Sequence, residues 1–530
     1  VGRTWLITLR PIVDEKLRGI ISHPSLEPDF YTGENVCEWF WNKMREIAEA
    51  MDYIYNTKFD QEDLSTGDQA SNRLYKITNE CWICKHPITA HPKSKTQWLT
   101  ITKKMRKEMP FTEFLGPKVR DHCHWTGEYK GAAHSKCNWL RRYKQQIPVY
   151  FHNLSNYDLH YLAQSIHIVE DLKEPSVLAK SSEKWMSLTV GFEHVEHDIR
   201  FIDTMSFLPG SLAKLTQNRF QCGKGDIPNY FPATNEFFRQ HYPDNPTTDI
   251  NLLLRKGVFP YSYLTELTVL EQTSLPGKEA FYDVLSDEDI SDEDYEHAKC
   301  VWRTFNCKTL LDYHNLYMIV DVAQLSDIFE GFRRDSFKNY GLDPAYFISA
   351  PGLSWQACLL LTKARLEIIK DPEMSIFIDQ SFIGGVSVAR NPKLTEKYRL
   401  DEQGEKIRTH HLMLLDCNNQ YGHAMSQHLP TGGFTWDSKA TEMSEQDILG
   451  LRDTAGRGFY FEVDLEYPQH LHDLHDQYPL APEHYTIKKE ELSEYQTRMA
   501  ESYNVKMKNT SKLCLTLHTK TKYKVHFTNL

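Results

Sequence analysis

The chain is poor in the features that mark several protein classes. Cysteine is sparse, 11 in 530 residues, with a single pair at CxxC spacing. That excludes a secreted disulfide framework and leads us to expect the reduced thiols of the cytosol or nucleus. No apolar run approaches the ~18 residues of a membrane span, and Val1–Lys16 lacks the apolar core of a signal peptide, so no membrane partner is expected. Nor is positive charge in excess. The 61 Lys and Arg face 72 Asp and Glu, a formal charge of −11, which argues against a histone-like coat but allows a basic channel inside an acidic shell. Internal repeats and low-complexity tracts are absent. What is present is the composition of packed globular domains: 40% hydrophobic, 12% aromatic and 25% charged residues, in a length that suits three or four domains. Disorder, collagen and a coiled-coil rod are excluded.

Apolar residues from Val36 to Ile54 recur at three- and four-residue steps and predict one helix with a single buried stripe. Asn56 to Asn79 is polar without a sustained period. Residues 148–340 alternate strand-like runs (IPVYFHNL, IRFID) with helical ones, which predicts an α/β domain. The acidic run from Asp283 lacks the glycine and ligand spacing of a calcium loop and reads as a solvated face. KLTEKYRLDEQGEKIRTHH predicts a hairpin or linker ahead of a buried strand at HLMLLD. The opening on Val1 and the closing strand-like KYKVHFTNL lead us to expect a fragment at both ends.

Cys81-Trp-Ile-Cys84 and His134-Ser-Lys-Cys137 each offer two ligands from one turn, and together they suit a structural Zn²⁺. Cys123, His124, His86 and His91 compete as ligands, and a reduced surface CxxC is the bland alternative. Between the half-sites runs VRDHCHWTGEYKGAAH, with Asn138 directly after the last ligand. This segment resembles the ββα-metal (His-Me finger) nucleases of the phage endonuclease VII type, with His134 and Lys130 replacing a Cys and an Arg of the pattern. The resemblance implies that His122 is the general base and that Asp121 and Asn138 hold one Mg²⁺. The alternative is a zinc staple whose DHxH side chains fold the module or touch DNA.

IPVYFHNLSNYD predicts a strand that delivers Asn153 and then Asp158 at its end. It resembles the second exonuclease motif of family B DNA polymerases. Tyr317 and Asp321 stand four residues apart on a predicted helix and so share a face. Their YxxxD form resembles the third motif, in which the Tyr holds water and the Asp a metal, while Asn153 orients the 3′ end. Phe201–Pro209, with Thr204, resembles the segment that contacts single-stranded primer DNA. For any one of these Asp residues a helix cap or surface ion pair is the alternative. The first motif, Asp-x-Glu on an apolar strand, has no convincing copy. Phe59-Asp60-Gln61-Glu62 has the letters in a polar setting, and the motif is expected upstream of Val1.

Phe382-Ile-Gly384-Gly385 resembles the YxGG element that approaches template phosphates in protein-primed enzymes. LMLLDCNNQYG resembles the first palm motif, DxxSLYP, so that Asp416 would bind both Mg²⁺ ions and Tyr421 would stack under the deoxyribose. Neither a Lys-bearing NxxYG helix nor an apolar strand ending in Asp-Thr-Asp follows, and no polymerisation is expected of the chain as written.

Taken in order, these motifs resemble the protein-primed family B DNA polymerases of Polinton/Maverick elements, adintoviruses and related plasmids. The fold this implies is multidomain α/β: an RNase H-like 3′–5′ exonuclease domain, the start of a family B palm, and a small zinc-bound ββα-metal module. The implied boundaries are 1–80 for the N-terminal part of the exonuclease domain, 81–146 for the zinc module, 147–340 for the exonuclease-like domain, 341–400 for a linker and 401–530 for a partial palm. The implied partners are DNA primer-template, deoxynucleoside triphosphates and a terminal protein primer, with Mg²⁺ and Zn²⁺ as cofactors, at work in a nucleus or viral replication site. A structure-selective endonuclease and a non-catalytic DNA-binding remnant are the competing functions.

Overall fold

The computed structural model describes residues 6–9, 12–13, 17–59, 69–85, 87–88, 117–140, 145–181, 184–223, 225–284, 287–386, 397–452, 456–476, 478–505 and 511–530. Asp60–Glu62, His86 and His91 lie outside them. The chain divides into two compact units, Val1–Leu361 and Thr362–Leu530.

The first unit is built on a four-stranded sheet whose strands lie in the order Gln146–Phe151, Asp198–Asp203, Trp185–Val190, Ser176–Ala179. Strands β1 (Leu6–Leu9) and β2 (Asp29–Thr32) pair apart from it, as do β3 (Lys118–His122) and β4 (Tyr129–His134). The sheet strands are β5 (Gln146–Phe151), β6 (Ser176–Ala179), β7 (Trp185–Val190) and β8 (Asp198–Asp203). β5 and β8 run parallel, with Phe151 opposite Asp203, so their carboxyl ends lie side by side. Helix α1 (Val36–Lys58) follows the predicted stripe. Its Phe40, Trp41, Met44, Ile47 and Ala48 pack on Leu188, Val190, Ile199 and Phe201 of the sheet. Each fully buried side chain of this kind contributes about 1.5–3 kcal/mol. The Trp41 indole donates to Ser165 Oγ at 3.0 Å.

Helix α2 (Gln69–Ile77) lies in the stretch that read as aperiodic. It has no buried residue and is tied on by polar contacts. The Lys118 ammonium donates to Thr78 O at 2.5 Å and Tyr75 Oη to Lys118 O at 3.2 Å, and the Arg120 guanidinium donates to Asn72 Oδ1. A short helix α3 (Ser135–Leu140) follows β4, and α4 (Asp158–Ser165) follows β5. Beyond the sheet come α5 (Pro232–His241), α6 (Asp292–Thr304) and the 31-residue α7 (Leu310–Tyr340), with α8 (Ala350–Thr362) after it. α7 is started by a capping box at Thr309 and stopped by Gly341 in the left-handed region (φ 67°). A second core joins it to α5 and α6 through Leu310, Tyr313, Leu316, Phe237, Phe238 and Val301. The acidic run ends as the first turn of α6, where Asp292, Glu293 and Asp294 meet the positive end of the helix.

The second unit consists of small antiparallel pairs. β9 (Tyr398–Leu400) and β10 (Lys406–Arg408) form the expected hairpin. β11 (Tyr460–Leu465) pairs with β14 (Lys520–His526), and β12 (Glu483–Tyr485) with β13 (Lys512–Cys514). The strand expected at HLMLLD does not form. Leu412 to Leu415 are unpaired coil and are 52, 78, 97 and 80% exposed. An apolar run becomes a buried strand only where a ladder partner and a covering layer exist, and the described residues supply neither. Among the described residues, no helix is long and apolar enough to cross a membrane.

Candidate functional site

Three groups of side chains converge in the first unit. At the end of β5 the chain turns through Asn153, held in the left-handed region (φ 69°), and enters α4 at Asp158. The turn is gripped by Asp203 at the end of β8. Its carboxylate accepts N–H groups of Asn153 (2.9 Å), Ser155 (3.0 Å) and Met205 (3.0 Å). His152 spans the same two strand ends, with Nδ1 2.9 Å from Thr204 Oγ1 and Nε2 2.9 Å from Gly210 O. Burial, with the charge of Asp203, pushes the Asp158 carboxyl up to about 6.

On α7, Tyr317 and Asp321 share a face as their spacing requires, which brings the tyrosine hydroxyl beside the carboxylate. Burial raises Asp321 to about 6, against the pull of the Tyr317 hydroxyl and of the nearby Lys256 ammonium. Tyr317 is raised well above the tyrosine range by burial and by the Asp321 charge. Tyr261 completes the group. Its ring stands edge-on to that of Tyr317 at 5.9 Å, and it lies within electrostatic reach of both Asp321 and Tyr157, the neighbour of Asp158. Sequence reasoning missed Asp203, Lys256 and Tyr261. Only Asp203 carried a signal, being the last residue of a strand that parallels the Asn153 strand. A cavity of about 630 Å³ runs along all six residues of β5 and is walled by α1 and α7, with Asp158, His152 and Arg200 among its polar lining.

The third group is the cysteine–histidine module. Ligand atoms of Cys81, Cys84, His134 and Cys137 all lie within 4.8 Å of one another. Among the described residues this is the one cluster of its kind, and Cys123 and His124 stand outside it. His134 Nε2 faces the Pro87 carbonyl at 3.3 Å, an acceptor only, so Nε2 carries the proton and Nδ1 turns its lone pair to the sulfurs of Cys84 (3.5 Å) and Cys137 (3.9 Å). Burial and the adjacent Cys84 and Cys81 push the Cys137 thiol up to about 12. Cys81 is lowered despite its burial by N–H groups of Cys84, His134 and Ile83. Such crowding of thiols is relieved by a cation, so the donor set fits a metal.

β3, β4 and α3 form a hairpin followed by a helix, with a bulge between Asp121 and His122. Asp121 is buried and accepts the Trp82 indole N–H at 2.9 Å. The His122 ring lies 4.6 Å from that of His124, and Asn138 sits in α3.

Among its described residues the second unit gathers no comparable site. Asp416 is exposed, Tyr421 is 87% exposed within helix α9 (Gln420–Met425), and Phe382 is 68% exposed. Gly385 has open space around it, and Gly384 meets only Leu513, at 3.8 Å.

A family model described as DNA polymerase type B, organellar and viral, matches residues 140–519. No curated protein and no solved structure matches the chain.

Proposed function

Because the chain belongs to the organellar and viral DNA polymerases of type B, we propose that its first unit is a magnesium-dependent 3′–5′ exonuclease serving a protein-primed, DNA-directed DNA polymerase. The substrates are DNA primer-template and deoxynucleoside triphosphates, and a terminal protein supplies the priming hydroxyl. One observation carries the exonuclease reading: Asp158 shares the cavity along β5 with Met318 and Val322, the α7 residues next in sequence to Tyr317 and Asp321. Asp158 and Asp321 offer desolvated carboxylates, a donor set that suits a hard cation. Bound there, Mg²⁺ would polarise the scissile phosphate. Tyr317 would orient the attacking water and Asn153 the 3′ terminus. Thr204, expected to meet the single strand, is 1% exposed with its hydroxyl on Phe151 O and His152, so its role would be to hold the two strand ends together and not to touch DNA.

The test is digestion of a 5′-labelled single-stranded oligonucleotide in Mg²⁺. Asp158→Asn or Asp321→Asn should slow it by more than the roughly 10–100-fold lost when only a supporting partner of a metal ligand is removed. Unchanged digestion would remove the assignment. In the second unit Asp416 is assigned to the polymerase metals, Tyr421 to the deoxyribose, and Phe382, Gly384 and Gly385 to the template. Mg²⁺ binding by the second unit that is lost in Asp416→Asn would test that part, and unchanged binding would remove the assignment.

A second reading rests on the zinc module. The hairpin–helix order and the bulge at Asp121/His122 favour a His-Me finger endonuclease in which Zn²⁺ fills the tetrad, His122 is the base and Asp121 with Asn138 holds Mg²⁺. Nicking of branched DNA that disappears in His122→Ala would support it, and intact branched DNA would sink it.

A further inference from the structure

Asp203 is a buried carboxylate (5% exposed) with no Lys or Arg against it in the hydrogen bonds it makes. Its partners are backbone N–H groups from both sides of the site. Oδ1 takes Asn153 and Met205, and Oδ2 takes Ser155. Ser206 Oγ adds a bond to the Asp203 carbonyl at 2.6 Å. Three of the carboxylate's roughly four acceptor positions are therefore filled, and little remains for a metal. The turn it grips needs an external hold, because Asn153 has a positive φ and leads through an irregular Tyr157 (φ −138°, ψ −78°) into Asp158.

We propose that Asp203 is the positioning residue of the exonuclease site: its carboxylate clasps the Asn153–Tyr157 turn and so fixes Asn153 and Asp158 relative to the Thr204 segment. The proposal rests on the exonuclease reading and adds a residue to it. Asp203→Asn separates clasp from bulk. The amide oxygen can still accept from Asn153 and Met205, but its NH₂ group then faces the Ser155 N–H, donor against donor.

The experiment uses the full chain. Hydrogen exchange of 152–158 should quicken about 10–100-fold in Asp203→Asn, the scale of one lost bond to a charged acceptor, while β5, β7 and β8 keep their protection. Oligonucleotide digestion should lose a similar factor in kcat, with KM moving less than about threefold. Exchange unchanged at the turn, or faster throughout the sheet, overturns the clasp. A loosened turn with unaltered kcat overturns its role in positioning. Should the unaltered chain leave the oligonucleotide intact, the exonuclease reading fails and the catalytic part of this assignment fails with it. The exchange result still decides whether Asp203 holds the turn.

Discussion

Gly257 lies against the ring of Tyr317, and adding one methyl group there tests whether that ring is held as tightly as the site requires. A Cβ built on Gly257 would stand 2.3 Å from Tyr317 Cδ2 and 2.4 Å from Cε2, more than ~1 Å inside ordinary carbon contact. The backbone itself tolerates alanine, since Gly257 is not among the glycines of positive φ. The ring is hemmed in by Phe259 at 5.8 Å and Tyr261 at 5.9 Å between centroids. Overpacking of this kind costs about 1–3 kcal/mol. Gly→Ala returns roughly 0.4–1 kcal/mol through the unfolded chain, so Gly257→Ala should destabilise the first unit by about 1–2 kcal/mol. In a Tyr317→Ala background the clash is gone and the same substitution should be neutral or stabilising, a coupling visible in a double-mutant cycle of urea unfolding. Displacing Tyr317 by ~1 Å should also cost about 10²-fold in oligonucleotide digestion. If Gly257→Ala costs the same in both backgrounds, the ring is not what the methyl meets, and the geometry assigned to Tyr317 is wrong.

Asp158 and Asp321 have folded pKa values raised from 3.8 to about 6, so the folded state binds their protons more tightly than the unfolded state. Their contribution is fully present below pH ~4 and is lost as pH rises through about 6. Without metal, Asp158→Asn/Asp321→Asn should flatten that decline and be more stable than the unaltered chain at pH 7.5 in urea titrations; a steeper decline would contradict the assignment. Added Mg²⁺ should raise the urea midpoint of the unaltered chain but not of the double variant, by mass action on the folded state. The cysteine–histidine tetrad should carry one tightly held Zn²⁺ per chain by elemental analysis, and Cys137→Ser should release it and lower the thermal midpoint. Retention of the full metal content would remove Cys137 from the ligand set. Leu414→Gln should change stability by less than about 0.5 kcal/mol, as an exposed side chain away from special features does, and should reduce binding of an apolar dye. A larger loss of stability would show that Leu414 is buried in solution.

Local spacing made much of the first unit legible. The α1 stripe repeats at helical steps, and Tyr317 and Asp321 must share a face because 3.6 residues make a turn. The CxxC and HxxC turns can bring two ligands each to one metal, and their convergence needs only a hairpin between them. What spacing could not show were partners supplied by the tertiary fold. Lys256 and Tyr261 reach Asp321 and Tyr317 from an irregular loop with no periodic mark, and the clasp by Asp203 depends on the parallel register of two strands. α2 escaped notice because its hold on the hairpin is a set of polar contacts and the single ring of Tyr75, so no apolar stripe announces it. Leu412–Leu415 misled in the opposite direction. Four apolar residues before an Asp read as a buried strand, but hydrophobicity states what a segment would gain by burial and not whether a neighbour is present to bury it.

That distinction separates the two proposed magnesium chemistries. Asp158 and Asp321 are already largely withdrawn from water, which is why their carboxyls titrate near 6, and a divalent cation arriving there replaces no strong hydration of the carboxylates. Asp416 stands exposed beside side chains that are up to 97% exposed, so water screens its charge and competes with any ion. Burying Met413, Leu414 and Leu415 beneath a partner layer would gain about 1.5–3 kcal/mol each. The same event would dry Asp416 and strengthen its hold on a cation. Burial of the apolar run and metal binding at Asp416 are thus thermodynamically linked: whatever covers these residues raises the Mg²⁺ affinity of Asp416, and Mg²⁺ in turn favours the covered state by the same factor.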